Sequence, residues 1–300
     1  MIFLVLLFSV SAFAEKIINI ELKRPDDSKI IGRLTIPDES KPFSIILHLQ
    51  GSACESVHEA YYDLSPALKK KNHGHLLIEK PGLSKGMKTE DCFKDSYLLK
   101  NDIFTRANDA FHVLNFIKKN TRWNDEYYSI GKSEGTVVAT LLAKKKYPRA
   151  MALLAGANGL TMEEEFNLMI DKGDRPCGFT SKNEFKKKVE AIYLIPDSKE
   201  TWCSSSISPN SYYWWSRILR LSLIEELKTF DFPIYVAHGT KDESVPIETS
   251  IEVEKVFLRI EKKNLTFKRY EGLNHKWRND KGEKKINEVM RELDSWLLQF

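Results

Sequence analysis

The sequence predicts an α/β fold in which a mostly parallel central sheet is flanked by helices. Short apolar runs typical of buried strands alternate with segments whose apolar residues recur at helical spacing. The run Phe43–Leu49 is almost continuously apolar, as expected of a strand buried on both faces. A charged stretch of about 158–227 has no clear strand. We therefore expect a mostly helical cap inserted between two strands of the sheet.

Each predicted element follows from a local pattern. The first two strands, Lys16–Leu22 and Ile30–Ile36, should form an antiparallel hairpin because a Pro25-Asp26-Asp27 turn separates them. The other predicted strands are Phe43–Leu49, His75–Ile78, Tyr127–Ile130, Ala150–Leu154, Pro233–Ala237 and Leu265–Tyr270. Helical spacing predicts helices over Val57–Lys71, Asp95–Asn120, Thr136–Lys146, Ile247–Arg259 and Lys284–Leu298.

Composition is that of an ordinary globular chain. The 300 residues are 42% hydrophobic and 11% aromatic, which is enough to build a core. The 46 Lys and Arg residues nearly cancel the 42 Asp and Glu residues, leaving a net charge of +4. The lysines occur in short runs beside helical patterns, which favours solvated helix faces over a nucleic-acid site. We expect no nucleic-acid partner, and the sequence predicts no oligomeric state.

The first fourteen residues resemble a signal peptide. Ile2–Val10 is almost wholly apolar, and Ala12-Phe13-Ala14 is a small-x-small cleavage pattern, so we predict a mature chain of 15–300. The run is shorter than the roughly 20 residues of a membrane span, and no cysteine follows the cleavage site. We expect a periplasmic or secreted protein with no stable membrane anchor. The alternative is a core strand of a cytosolic protein, since no Lys or Arg precedes the apolar run.

The four cysteines favour disulfides. An exported chain meets an oxidising compartment, and an even set of cysteines then tends to pair. Four cysteines allow three connectivities. We favour Cys54 with Cys92 and Cys177 with Cys203, because each pair closes a loop within one region of the predicted fold. The cysteines show no C-x-x-C spacing, so the sequence gives no reason to expect a metal site.

The strongest chemical motif is Gly131-Lys132-Ser133-Glu134-Gly135, which matches G-x-S-x-G between a predicted strand and helix. In this context the serine stands on a sharp, strained turn with its oxygen clear of the sheet. The N-terminus of the following helix directs N–H groups and a positive dipole at the site where an oxyanion would form. We therefore predict that Ser133 is a nucleophile. The alternative is a plain glycine-flanked turn.

Two later loops supply a carboxylate and an imidazole. Asp242 lies just beyond a predicted strand, and His275 follows the last predicted strand. Taken alone, Asp242 is typical of a turn or a helix cap, and a loop histidine is usually solvated. Together with Ser133 they complete a catalytic set, because a serine hydroxyl needs an imidazole to take its proton and the imidazole needs a carboxylate to orient it.

At these residues the chain resembles the α/β-hydrolases, most closely small exported members of esterase-like, dienelactone-hydrolase-like or peptidase-like type. The matching segments are 49–53 (LQGSA), 78–82 (IEKPG), the serine motif and the two late loops, in the family's order of Ser, Asp and His. The similarity covers the mature chain except the cap. It implies an oxyanion hole made by the backbone N–H of Glu134 and by that of Ser52 or Ala53. Gln50 stands where many members have His.

These observations predict a serine hydrolase that needs no cofactor. The first hypothesis is a carboxylesterase that acts through an acyl-enzyme on a small or medium ester. The alternatives are a peptidase or amidase with the same triad, and a catalytically silent binding protein of the same fold. The cap aromatics Trp202 and 212–215 (YYWW) are equally consistent with an acyl pocket and with the packing core of the cap.

Overall fold

The computed structural model describes residues 15–57, 72–87, 89–203 and 209–300. The predicted signal peptide at 1–14 lies outside the described residues, as does nearly all of the predicted helix Val57–Lys71. Both therefore stay predictions.

The described residues contain one eight-stranded sheet, mostly parallel as predicted. The strands are β1 (Lys16–Lys23), β2 (Lys29–Ile36), β3 (Phe43–Leu49), β4 (His73–Ile78), β5 (Trp123–Lys132), β6 (Ala150–Leu154), β7 (Ile234–Gly239) and β8 (Leu265–Tyr270). Their spatial order is β1-β2-β4-β3-β5-β6-β7-β8. The β1–β2 hairpin and the β2–β4 pair are antiparallel, and all other pairs are parallel. Parallel strands place their carboxyl ends at one edge, where the loops after β3, β5, β7 and β8 meet.

Helices connect these strands. Their bounds are α1 (Asp95–Leu98), α2 (Ile103–Asn120), α3 (Glu134–Ala143), α4 (Met162–Asp171), α5 (Lys182–Leu194), α6 (Tyr212–Ile218), α7 (Ile224–Thr229), α8 (Glu248–Arg259) and α9 (Ile286–Leu297). Four of them, α4 to α7, lie between β6 and β7, so the stretch that the sequence predicted to be a cap is helical. In the part of the chain that is described, no helix has both the length and the apolar character needed to cross a membrane.

Both faces of the inner strands β3, β6 and β7 are buried, as the apolar strand runs predicted. On one face, Leu47 and Leu76 pack with residues of α2, α3 and the cap in the main core. On the other face, Ile46 and Ile130 pack against α9. The alternation follows from strand geometry, because successive side chains point to opposite faces.

The predicted continuous helix Asp95–Asn120 is wrong. The structure breaks it between α1 and α2, because the side chain of Asp102 caps α2. Oδ1 of Asp102 accepts hydrogen bonds from the backbone N–H groups of Phe104 (2.8 Å) and Thr105 (3.0 Å). Aspartate at this position satisfies donors that a new helix would otherwise leave unpaired. The periodic apolar stripe crosses the break and concealed it.

Candidate active site

Ser133 occupies a strained turn between β5 and α3. Its backbone has φ 53° and ψ −125°, a conformation that residues with a side chain rarely adopt. The strand side of the turn is fixed by a 2.8 Å hydrogen bond from the N–H of Ser133 to the carbonyl of Leu154 on β6. The helix side is fixed by Thr136, whose hydroxyl donates to the carbonyl of Ser133 at 2.7 Å. The structure therefore places Ser133 at the sharp turn that the sequence motif predicted.

The two motif glycines are required by close backbone approaches. A Cβ on Gly131 would lie 2.4 Å from the carbonyl oxygen of Gly135, within the turn itself. A Cβ on Gly135 would lie 2.0 Å from the carbonyl oxygen of Leu49, at the end of β3. Both distances are far below van der Waals contact. Glycine at these positions lets α3 start directly beside β3, and this brings Ser133 up to the loop that follows β3.

The loop after β3 lies against the serine. A Cβ on Gly51 would lie 3.3 Å from Cβ and 3.7 Å from Oγ of Ser133, so the backbone of Gly51 passes close to the hydroxyl. Among the described residues, Ser52 lines the same cavity as Ser133, whereas Ala53 does not. Of the two residues that sequence left open for the second oxyanion donor, Ser52 is thus the one beside the cavity.

A buried arginine connects this loop to the start of α3. Arg106 on α2 forms an ion pair with Glu134 and donates a 2.6 Å hydrogen bond to the carbonyl of Gln50. The side chains of Arg106 and Glu134 are only 6% and 2% exposed. The indole of Trp214, on α6, donates to the second carboxylate oxygen of Glu134 at 2.9 Å. One carboxylate therefore ties together the helix after Ser133, the loop after β3 and the cap.

The other end of the loop is held by a lysine and a disulfide. The buried ammonium group of Lys80 donates a hydrogen bond to the carbonyl of Ala53. Cys54 is bonded to Cys92, and the second disulfide joins Cys177 to Cys203 within the cap region. Two disulfides fit an oxidising environment.

Asp242 and His275 lie on the loops after β7 and β8. Nδ1 of His275 is 2.8 Å from Oδ2 and 3.0 Å from Oδ1 of Asp242. Oδ1 of Asp242 also accepts hydrogen bonds from the backbone N–H groups of Ser244 (2.9 Å) and Val245 (2.8 Å). The carboxylate is fully buried, and the histidine side chain is 16% exposed. The carboxylate is thus fixed by its own loop and in turn orients the imidazole.

Close packing of the two loops brings these side chains together. A Cβ on Gly239 would lie 2.2 Å from the carbonyl oxygen of Leu273, so only glycine permits this approach. The same carbonyl accepts a 3.0 Å hydrogen bond from the N–H of Lys241. The hydroxyl of Thr240 accepts a 2.9 Å hydrogen bond from the N–H of Gly272. These contacts connect the residues just before Asp242 to those just before His275.

A second histidine also contacts the carboxylate of Asp242. His238, at the end of β7, is fully buried, and its Nε2 lies 3.3 Å from Oδ2 of Asp242. Its Nδ1 lies 2.6 Å from the hydroxyl of Ser250 on α8. Burial alone would raise the pKa of Asp242, but hydrogen bonds from His238 and His275 outweigh it and hold the pKa far below its usual value. Asp242 is therefore a carboxylate, which is the state needed to orient and stabilise an imidazolium.

Ser133 and His275 line one cavity of about 320 Å³ under the cap. Its wall is mostly apolar and includes Leu160, Met162, Phe166, Trp214, Trp215 and Ile218. A larger, open groove of about 960 Å³ lies between the β1–β2 turn and α2, and none of the predicted site residues line it. Of these two cavities, the smaller is therefore the candidate site, since it combines the serine and the histidine with an apolar wall.

The cap aromatics, which the sequence left open between an acyl pocket and a packing core, do not all lie in one place. Trp214 and Trp215 line the cavity and belong to the main core. Trp202 packs between Trp215 and Phe179, with its ring centroid 4.5 Å from the first and 5.6 Å from the second. Tyr213 instead points away and donates a 3.1 Å hydrogen bond to Asp102.

Sequence reasoning missed three buried residues of this site: Arg106, Glu165 and His238. Arg106 and Asp109 are the two charged residues on the buried, mostly apolar stripe of α2, and the charge of Arg106 there was a signal that something acidic faces it. His238 stands four residues before Asp242. Because a strand end and a turn separate them, this spacing does not predict that the two side chains are in contact. Glu165 lies in a run of three glutamates on the cap, and the sequence does not show which of them is buried.

Known structures with the same fold cover almost the whole chain. Est1E from Butyrivibrio proteoclasticus, in a structure with bound ferulic acid, has a TM-score of 0.63 and 18% identity, over 93% of this chain and 98% of that one. A thermostable carboxyl esterase from Bacillus coagulans has a TM-score of 0.60 and 14% identity, over 94% and 98%. The α/β hydrolase domain-containing protein 10 from mouse has a TM-score of 0.59 and 14% identity, over 94% and 98%.

The chain has the α/β-hydrolase fold. This rests on the eight-stranded, mostly parallel sheet flanked by helices and on the similarity to these structures over more than nine-tenths of the chain. No protein-family model matches the sequence, and no curated protein matches it. The similarity is thus one of fold at low sequence identity, and the function of this α/β-hydrolase fold must be argued from its own site.

Proposed function

We propose that the chain is a serine hydrolase, with carboxylic esters as its substrates. The observation that carries the proposal is that one cavity is lined by Ser133 on its strained turn and by His275, whose Nδ1 is hydrogen-bonded to Asp242 at 2.8 Å. The roles follow from the chemistry. A serine hydroxyl is a poor nucleophile until a base takes its proton, and a buried carboxylate makes the imidazole an effective base.

In the first half-reaction, Oγ of Ser133 attacks the ester carbonyl carbon while Nε2 of His275 takes the hydroxyl proton. The carbonyl electrons move to the oxygen and form a tetrahedral oxyanion. When the oxyanion collapses, the C–O bond to the alcohol breaks and His275 returns the proton to the leaving oxygen. Water then attacks the acyl-enzyme by the same route, releasing the acid and restoring the hydroxyl. Asp242 stays ionised throughout and stabilises the imidazolium.

The backbone N–H groups of Glu134 and Ser52 form the oxyanion hole in this proposal. Glu134 is the first residue of α3, so its N–H points from the positive end of that helix. Ser52 follows Gly51, which passes beside the serine hydroxyl. Arg106 and Lys80 hold the two ends of the loop through the carbonyls of Gln50 and Ala53. Such fixed donors need no reorganisation as charge develops.

Labelling with a fluorophosphonate tests the proposal. We expect one covalent adduct in the oxidised, folded protein, mapped to Ser133 by peptide mass spectrometry and lost in Ser133→Ala. Ser244 offers a matched control, because it is a second serine that lines the cavity. Ser244→Ala should still be labelled. Folded wild-type protein that takes no label would overturn the proposal.

Substrate profiling then separates esters from amides. The apolar cavity of about 320 Å³ favours small or medium groups. We expect turnover of p-nitrophenyl esters that rises with acyl length and then falls when the chain exceeds the cavity. Faster turnover of aminoacyl amides than of esters would replace the esterase proposal by the peptidase alternative.

We also propose that the protein is exported with residues 1–14 removed. The two disulfides support this, since they persist in oxidising compartments. Expression of the full chain with N-terminal sequencing of the mature product tests it, and a mature chain beginning at Glu15 is the expected result. An intact N-terminus on cytosolic protein would contradict it.

A further inference from the structure

One carboxyl group in the cavity has no part in the proposed chemistry. Glu165 lies on the cap helix α4, is only 9% exposed, and lines the same cavity as Ser133 and His275. Around it the wall is apolar, with Met162 and Phe166 on the same helix. A carboxyl group in such a place is costly to keep unless something pairs with it.

Within the described residues, Glu165 forms no ion pair. Its hydrogen-bond partner is Thr249 on α8. The pKa of Glu165 is raised to about 8, mainly by burial and also by the negative charges of Asp242 and Glu164, while the hydrogen bond from Thr249 opposes them. Glu134, the other buried glutamate of the cavity, is by contrast paired with Arg106. The charge of Glu134 is therefore neutralised by an ion pair, whereas Glu165 is neutral because it keeps its proton.

The rest of the cavity also lacks positive charge. No lysine or arginine among the described residues lines it. A second buried hydrogen-bond acceptor, Asn210, also lines the cavity. Asn210 is 8% exposed, and its Oδ1 has no hydrogen-bond partner in the described part of the chain. Phe166, Trp214 and Trp215 complete the wall with aromatic rings. Carboxylate, amide oxygen and aromatic rings are the groups that bind a cationic nitrogen.

We propose that Glu165 is a specificity-determining residue, which selects substrates carrying a positively charged nitrogen in the part that the cavity holds. This inference rests on the proposed hydrolase function and names its substrate class. Burial is the main reason that Glu165 is hard to ionise in the empty cavity, and the negative charges of Asp242 and Glu164 that add to this effect also attract a cation. When an ammonium group enters, Glu165 releases its proton and the resulting ion pair is shielded from water, where a charge pair is much stronger than at the surface.

Binding to the inactive variant Ser133→Ala tests the inference without any turnover. The probes are n-hexylammonium and 1-hexanol, which have the same chain and differ in charge. By isothermal titration calorimetry we expect the ammonium to bind at least about tenfold more tightly, since a partly buried charge-assisted contact is worth roughly 1.5–3 kcal/mol. Introducing Glu165→Gln into the Ser133→Ala variant should remove this preference. Asp171→Asn is the matched control, because Asp171 is an exposed carboxylate on the same helix and is paired with Lys182 at the surface.

Proton release gives a readout that a structural role of Glu165 would not move. At pH 7 Glu165 is mostly protonated, so ammonium binding should release close to one proton, measured by calorimetry in two buffers of different ionisation enthalpy. With Glu165→Gln the release should vanish. If 1-hexanol binds as tightly as n-hexylammonium and no proton is released on ammonium binding, Glu165 is a neutral hydrogen-bonding group and the inference is overturned.

Kinetics on isosteric substrates distinguish this inference from the proposed function. Butyrylcholine and 3,3-dimethylbutyl butyrate place the charge on the alcohol side, and methyl 6-aminohexanoate and methyl heptanoate place it on the acyl side. We expect a higher kcat/KM for the charged member of at least one pair, and loss of that preference in Glu165→Gln. Equal rates within both pairs would overturn the specificity while leaving the esterase intact. If wild type hydrolyses none of the four, the proposed function fails, and the binding experiment still decides whether the cavity selects cations.

Discussion

Lys80 holds the carbonyl oxygen of Ala53 with a buried ammonium group. The side chain is 1% exposed, and its hydrogen bond anchors the loop that begins beside Ser133. The pKa of Lys80 is lowered to about 7, mainly by burial and also by the charge of Arg106, while the carboxylates of Glu134, Glu55 and Glu79 oppose this. The ammonium group therefore holds the loop in position, and burying its charge lowers the stability of the fold by an amount that depends on pH.

Stability should follow the titration of Lys80. In the unfolded chain this lysine has an ordinary pKa of 10.5, so above about pH 7 the unfolded state binds a proton that the folded state has lost. The penalty for burying the charge is complete below about pH 7 and disappears as the pH rises to about 10. Relative to Lys80→Met, wild type should gain stability across this window, by at most about 1.4 kcal/mol for each pH unit.

Urea denaturation of wild type and Lys80→Met at several pH values between about 6 and 10 measures this difference. Lys145→Met, which removes an exposed lysine of the same chain, is the control and should differ from wild type by a constant amount. A difference between wild type and Lys80→Met that does not change with pH would show that Lys80 keeps an ordinary pKa in the fold.

Asp242→Asn should reduce turnover without unfolding the protein. Asparagine keeps the shape but cannot stabilise the imidazolium and favours the wrong tautomer of His275, a change that costs about 10⁴-fold in kcat in other triads. The measurement is kcat and KM on a p-nitrophenyl ester. Asp280→Asn, an exposed aspartate paired with Lys241, should retain wild-type rates. A loss below tenfold in Asp242→Asn would mean that another group orients the imidazole.

Gly135→Ala should prevent formation of the native site. The added Cβ would lie 2.0 Å from the carbonyl oxygen of Leu49, and this backbone cannot move without shifting β3 in the centre of the sheet. We expect a loss of roughly 3 kcal/mol or more in the free energy of unfolding, as for other overpacked positions. At Gly32 the same substitution meets its first atom, the carbonyl oxygen of Leu77, at 3.4 Å, so Gly32→Ala is the control. Equal stability of the two variants would contradict the close approach.

The two disulfides offer a matched comparison. Cys54–Cys92 holds the loop that carries Ser52, whereas Cys177–Cys203 lies in the cap region. Replacing either pair by serines should cost about 2–4 kcal/mol of stability. Loss of the first pair should also lower kcat by about tenfold or more with little change in KM, since a displaced oxyanion donor weakens binding of the transition state alone. If both pairs change kcat equally, the first disulfide contributes stability and no positioning.

Much of this arrangement could be predicted from local patterns. Strand periodicity and the Pro25-Asp26-Asp27 turn predicted the hairpin, and the apolar run Phe43–Leu49 predicted a central strand, all confirmed by the sheet. The G-x-S-x-G pattern likewise predicted the turn, although only Gly131 meets a neighbouring residue, Gly135, whereas Gly135 meets Leu49 of the distant strand β3. The break before α2 escaped prediction, because a helix cap at Asp102 competes with a periodic stripe and the sequence does not show which one prevails.

The sequence by itself determined the order of strands and helices, the sharp turn at Ser133 and the three residue types that a hydrolase site needs. Only the tertiary structure decided that Asp242 meets His275, that Arg106 ties Gln50 to Glu134, and that Glu165 faces the cavity while Glu164 faces solvent. The physical reason is the distance along the chain over which each interaction acts. Periodicity and turn chemistry act over a few residues, whereas the pairing and burial of charges depend on which distant segments the folded core brings into contact.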